Sequence, residues 1–150
     1  CMTISQKGID IIKLFEGCDL NAYLDVGGVP TIGYGNTFYE DGAKVKMGDT
    51  ITQERAEGLL VTMVYTFSIL ISTYIKTQLS QNQFDSVTSF SYNVGVGAFK
   101  NSTLLKKMNA NPDDLSIGSE FLKWNKVKGI PNKGLTVRRL KESHLYFSED

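Results

Sequence analysis

Apolar positions divide the chain into three textures. Ile9, Ile12 and Phe15 recur at helical spacing and predict a first helix that opens near Thr3 to Ser5. Thr3 and Gln6 have the spacing of a capping box, and Gly17 is the stop. From Asn21 to Met47 the periodicity gives way to Gly, Tyr, Val and turn pairs. Gly27-Gly28 and Asp41-Gly42 read as hairpin turns, and Pro30 stands near a strand start, where a missing donor is tolerated. Three short antiparallel strands fit this stretch.

After Thr52, a good N-cap, helical patterning returns and holds to the end. A long helix is expected from Thr52 to about Leu79, and Ser80 with Gln83 forms a capping box for the next. Asn101-Ser102 caps a third. Asn111-Pro112 followed by Asp113 and Asp114 suits a helix opening, with acids at the positive dipole end. Gly129, Pro131 and Gly134 interrupt the chain before a final basic helix, about Leu135 to Phe147. The expectation is one α+β domain over 1–150: a small antiparallel sheet lobe at about 17–52, and a larger helical lobe at about 53–150 that includes the N-terminal helix. The long helix joins the lobes.

That long helix raises a membrane question, because Leu59 to Ile75 is a run of 17 residues without a charge. It falls short of the ~20 needed to span. Thr62, Thr66 and Thr73 share one narrow stripe, so the segment reads as a mostly buried amphipathic helix rather than a stable membrane span. No signal peptide is visible at the N-terminus.

Charge changes the picture only in its distribution. Sixteen basic residues balance sixteen acidic ones, which does not advertise a nucleic-acid binder. Residues 1–75 carry five Lys/Arg against nine Asp/Glu, and residues 76–150 carry eleven against seven, so the halves stand at −4 and +4. Lys123, Lys126, Lys128, Lys133, Arg138, Arg139 and Lys141 make up much of the excess. They read as a solvated surface or as a basic face for an anionic polymer such as a cell wall. Two cysteines make no disulfide framework: Cys1 ahead of Met2 reads as an addition to the encoded start, and Cys18 as a small packed thiol. A single histidine, His144, removes a conventional zinc site. No metal or other cofactor is expected.

Candidate chemistry concentrates between Phe15 and Gly35. Glu16 sits in the last turn of the first helix, where exposed carbonyls and the neighbouring Phe15 disfavour its ionised form. That suits a general acid, although position alone equally describes an ordinary helix-end Glu. Asp25 precedes the Gly27-Gly28 turn and Thr31 lies on the returning strand, so a hairpin brings the two near one another. Each also has a plain reading, as a turn-initiating Asp and a strand Thr. Together they supply the protonated carboxyl and the ionised carboxylate that glycoside hydrolysis uses.

The spacing resembles that of the phage-type lysozymes, whose motif is a Glu, an Asp nine positions on and a Thr six positions further. Glu16, Asp25 and Thr31 match it, as do Glu16-Gly17, Ala22-Tyr23, Thr31-Ile32-Gly33-Tyr34-Gly35 and Thr37. Two later segments agree: Tyr92 to Phe99, and Gly134-Leu135 through Arg138-Arg139 to Glu142. Asn36 departs from the histidine common at its position. The resemblance implies a lysozyme-like fold and a muramidase that cuts the β-1,4 bond between N-acetylmuramic acid and N-acetylglucosamine. Glu16 would be the general acid, Asp25 and Thr31 would position and activate water, and Thr37, Tyr92 and Ser102 would line the substrate groove. Peptidoglycan glycan strands would be the partner of a monomer made in the host cytoplasm and acting on the wall. Competing readings are a lysozyme-fold module that grips glycan or a partner without cleaving it, and a lytic transglycosylase.

Overall fold

In the computed structural model, which describes residues 2–150, the elements follow the order α1 (Gln6–Glu16), β1 (Asp19–Leu24), β2 (Pro30–Gly33), α2 (Gln53–Ser72), α3 (Gln81–Val94), α4 (Val96–Lys100), α5 (Thr103–Ala110), α6 (Ile117–Leu122), β3 (Lys126–Val127), β4 (Ile130–Pro131) and α7 (Lys133–Tyr146). Cys1 lies outside the described residues. The described residues group into two compact units, Asp10–Thr66 and residues 2–9 with Phe67–Asp150. Helices α1 and α2 each contribute residues to both units.

In the Asp10–Thr66 unit, β1 and β2 form an antiparallel hairpin in which Tyr23 pairs with Thr31 and Leu24 with Pro30. The expected third strand is reduced to isolated bridges, Ile32 with Asn36 and Phe38 with Lys44. Gly33 and Gly35, at φ 66° and 89°, bend the chain back on itself before a third ladder can extend. Ile32, Val45, Ala56, Leu59, Leu60 and Val64 form its buried apolar interior.

The other unit is built on α3, which is enclosed over ten consecutive residues, Asn82 to Ser91. Phe84, Val87 and Phe90 of α3 join Phe99, Leu104, Met108, Ile117, Phe121 and Tyr146 in the main core. The Ser80/Gln83 capping box is present: the Gln83 N–H donates to Ser80 Oγ at 3.1 Å and the Ser80 N–H to Gln83 Oε1 at 3.0 Å. At the start of α1 the Ser5 N–H donates to Asp85 Oδ1 at 2.9 Å, which ties this end of the helix to α3.

Four sequence expectations need correction. Helix α2 stops at Ser72 rather than near Leu79. There the Ser72 and Thr73 hydroxyls donate to the carbonyls of Ile69 and Leu70, and the backbone tightens to three-residue turns through Thr73, Tyr74 and Ile75. Nor is α2 mostly buried: Val61, Tyr65, Ile69 and Leu70 are exposed along with Thr62 and Thr66. It is the one helix among the described residues long and apolar enough to cross a membrane. The Asn111-Pro112 stretch turns without forming a helix, because Asp114 Oδ1 takes both the N–H and the hydroxyl of Ser116, and α6 opens only at Ile117. Lastly, Cys18 is exposed rather than packed.

Arg138 and Arg139 also leave the basic face. Both are buried with Glu142, at 3%, 0% and 0% exposure. Glu142 receives Arg138 Nε at 3.2 Å, Ser89 Oγ at 2.6 Å and Arg139 Nη1. Arg139 also donates to the Trp124 carbonyl at 3.1 Å and lies over the Phe90 ring. Burial pushes the Glu142 carboxyl up, and Arg139, Ser89 and Arg138 pull it back down. The spacing of Arg138, Arg139 and Glu142 at three and four residues lets one helix assemble the cluster.

Candidate active site

Glu16 is the final residue of α1. The helix ends because Gly17 takes φ 67°, the left-handed geometry that glycine adopts without steric cost. Lys13, one turn earlier, pairs with Glu57 of α2, and its ammonium stands 6.0 Å from the Tyr34 ring centroid. Tyr34 Oη in turn accepts from Gln53 Nε2 at 3.0 Å. The last turn of α1 is thereby anchored to α2 and to the segment that follows β2. Glu16 itself is half-buried. Its Oε2 lies 3.8 Å from the point where a side chain on Gly35 would begin, so the carboxyl rests against bare backbone.

Asp25 begins the hairpin loop. Its Oδ1 accepts the N–H of Gly27 at 2.8 Å and of Val29 at 2.9 Å. Its backbone closes the same loop, donating to the Val29 carbonyl and accepting from Gly28 N–H. The turn-initiating role is therefore real. Both side-chain bonds fall on Oδ1, however, and Oδ2 takes no hydrogen bond among the described residues. Thr31 is 4% exposed, and its hydroxyl donates to the Val29 carbonyl at 2.8 Å, which leaves the oxygen's lone pairs as acceptors.

Strand register fixes which side chains share a face. Tyr23 and Thr31 stand directly opposite one another, and opposed residues project to the same side of a sheet. Gly33 falls on that side two residues on, while Ile32, at 0% exposure, points into the apolar interior. Tyr23, which sequence reasoning noted only within the matching Ala22-Tyr23 pair, thus becomes a neighbour of Thr31. Its hydroxyl is held above the usual phenol range by burial first, then by the charges of Asp19, Asp25, Glu16 and Cys18.

Asn36 is 1% exposed; its amide nitrogen faces Met63 Sδ at 3.8 Å, and its Oδ1 is buried without a hydrogen-bond partner among the described residues. Thr37 is half-buried and lines a cavity of about 290 Å³ with Gly28, Val29, Pro30, Phe38 and Lys44. Glu16, Asp25, Thr31 and Thr37 all belong to the Asp10–Thr66 unit, whereas Tyr92 and Ser102 belong to the other. The half-buried Tyr92 packs edge-on against Phe67, with centroids 5.6 Å apart. Ser102 caps α5: its Oγ accepts from Leu105 N–H at 3.1 Å and donates to the Phe99 carbonyl at 2.7 Å, at 3% exposure. Its hydroxyl proton is thus committed within the protein, and one acceptor lone pair remains. No group of three or more His, Cys, Asp or Glu among the described residues could hold a metal ion.

Gly35 offers a direct check on this geometry. At φ 89°, Gly35→Ala should cost about 1–2 kcal/mol of stability; the new methyl would meet the Glu16 carboxylate at an ordinary contact distance of 3.8 Å, so any effect on the carboxyl comes through the backbone shift that relieves the strain. A wall-lysis rate that falls several-fold at a temperature where circular dichroism shows both proteins folded would bear this out. An unchanged rate would mean that Glu16 does not depend on the backbone at that position.

Residues 13–142 match the phage lysozyme family. The chain is 42% identical to an endolysin of Acyrthosiphon pisum secondary endosymbiont phage 1, covering 98% of this chain and 99% of that one. It is also 42% identical to an endolysin of Bacillus phage PZA, of which it spans only about half, 56%. Among solved structures, a variant of P22 lysozyme superposes with a TM-score of 0.87 at 38% identity, over 99% of this chain and all of the other. With a family match over most of its length and relatives of this identity, the chain belongs to the phage lysozyme family.

Proposed function

We infer that this protein is an endolysin that hydrolyses peptidoglycan at the β-1,4 bond between N-acetylmuramic acid and N-acetylglucosamine. The observation that carries the reading is the hairpin geometry: Asp25 commits Oδ1 to the loop and leaves Oδ2 without a hydrogen bond among the described residues, on the same hairpin as the paired Thr31, while Glu16 ends α1 against Gly35. In the proposed reaction Glu16 gives its proton to the glycosidic oxygen as the bond breaks. A water held by the Asp25 carboxylate and Thr31 Oγ1 attacks the anomeric carbon, and its proton passes to Asp25. The oxygen of Asp25 that takes no hydrogen bond among the described residues suits this role, since Oδ1 is committed to the turn. Thr37, Tyr92 and Ser102 are proposed to border the glycan. The protein would act as a monomer, made in the host cytoplasm and working on the wall.

Incubation with a bacterial cell-wall suspension should clear its turbidity and release reducing sugar ends. Mass spectrometry should find hydrated muramic termini; anhydro-muramic termini would convert the reading to a transglycosylase, and no cleavage would refute it.

A further inference from the structure

We propose that the β3–β4 hairpin docks this protein on an anionic lipid surface. The inference rests on a surface remote in sequence from Glu16, Asp25 and Thr31 and does not depend on the hydrolase reading. Residues 123–133 contain four lysines and no acid. Lys123 shares Glu120 with Lys107, whereas Lys126, Lys128 and Lys133 form no ion pair among the described residues. Between the lysines, Val127 and Ile130 face one another across the ladder at 48% and 69% exposure.

The turn itself is informative. Lys128 and Gly129 both have positive φ, 52° and 80°, the geometry of a tight hairpin turn that favours Asn, Asp or Gly at the first position. Lys128 is the only non-glycine residue with positive φ among the described residues. A lysine held there at a conformational cost places a charge at the tip that the fold does not need. Asn132 N–H donates to the Asn125 carbonyl at 2.7 Å and closes the hairpin's base. Beside that base, Trp124, Lys123 and Lys126 line an open cleft of about 440 Å³.

A soluble polyanion would satisfy the lysines and leave Val127 and Ile130 in water. A bilayer containing acidic lipids satisfies both. Ammonium groups meet the headgroups, the lysine stems lie along apolar surface, and the valine and isoleucine enter the acyl boundary.

Trp124 is the sole tryptophan, so its emission reports on this region alone. The full chain should co-sediment at low salt with vesicles of equal parts phosphatidylglycerol and phosphatidylcholine, with a blue shift of that emission. It should not co-sediment with vesicles of phosphatidylcholine. The double variant Val127→Ser, Ile130→Ser should weaken vesicle binding at least about tenfold and leave lysis of isolated cell walls unchanged. Lys128→Gly should weaken it roughly fivefold, and because glycine suits the turn its melting temperature should hold or rise. That variant separates lost binding from lost folding. The proposal is overturned if the natural chain ignores acidic vesicles. It is equally overturned if the double variant binds them as well as the natural chain does, which leaves a purely electrostatic contact. A double variant that loses binding to isolated walls instead would identify the wall polymer as the occupant. Intact vesicle binding by a chain that cleaves no wall would fault the hydrolase reading alone.

Discussion

Glu16→Gln should abolish most wall-lytic activity, lowering the rate between about a hundredfold and ten-thousandfold, with thermal unfolding unchanged within about 1 kcal/mol. The amide preserves the shape of a side chain that is only half-buried at a helix end, so packing has little to lose. What disappears is the transferable proton. Asp25→Asn provides the complementary case. Asparagine keeps an Oδ1 acceptor for the N–H groups of Gly27 and Val29, so the turn survives while the carboxylate charge and its capacity to accept a proton are lost. If both amides lyse walls at the natural rate, neither carboxyl takes part in the chemistry.

The contrast between these residues shows how much of the site was legible in sequence. Glu16 and Asp25 became candidates through their spacing within the family motif; the local signals alone, the Gly17 stop and the glycine pair, also describe an ordinary helix-end Glu and a turn-initiating Asp. Tyr23 did not, since its importance comes from facing Thr31 across the ladder, a register that a single strand does not state. Ser102 was legible both as a cap and as a groove residue, and its two hydrogen bonds go to capping. At the level of the fold, the Ser80/Gln83 box marked the start of α3 correctly, because both partners sit within one turn. At the start of α1, the bond from the Ser5 N–H to Asp85, eighty residues away, is a long-range contact that no local motif announces. The two-residue strands β3 and β4 are too short to carry a period, and the lysine in their turn hides the usual Asn-Gly signal.

Glu142→Ala is expected to have the largest effect on stability. Removing it takes the carboxylate from Arg139, buried at 0% exposure, and one acceptor from Arg138. Breaking a buried ion pair from one side costs about 3–5 kcal/mol, which for a chain of 150 residues lowers the melting temperature by roughly 6–20 °C. Ser89 Oγ would lose its acceptor as well. Lys141→Ala, at the exposed neighbouring position, should change stability by no more than about 0.5 kcal/mol. Calorimetry or circular dichroism melts of the pair decide the matter: equal melting temperatures would mean that the arginines find other partners or remain hydrated.

Helix α3 carries a further implication. Its enclosed stretch, Asn82 to Ser91, is made largely of hydroxyl and amide side chains rather than branched aliphatic ones. Several hydroxyls are satisfied by carbonyls of the helix itself, Thr88 by Phe84 and Ser91 by Val87. Segments that seed fibrils combine high β-propensity, strong hydrophobicity and few polar groups, and this one does not. The innermost rod of the larger unit is thus among the least sticky parts of the newborn chain. Crowded nascent copies have little there by which to clump before they fold.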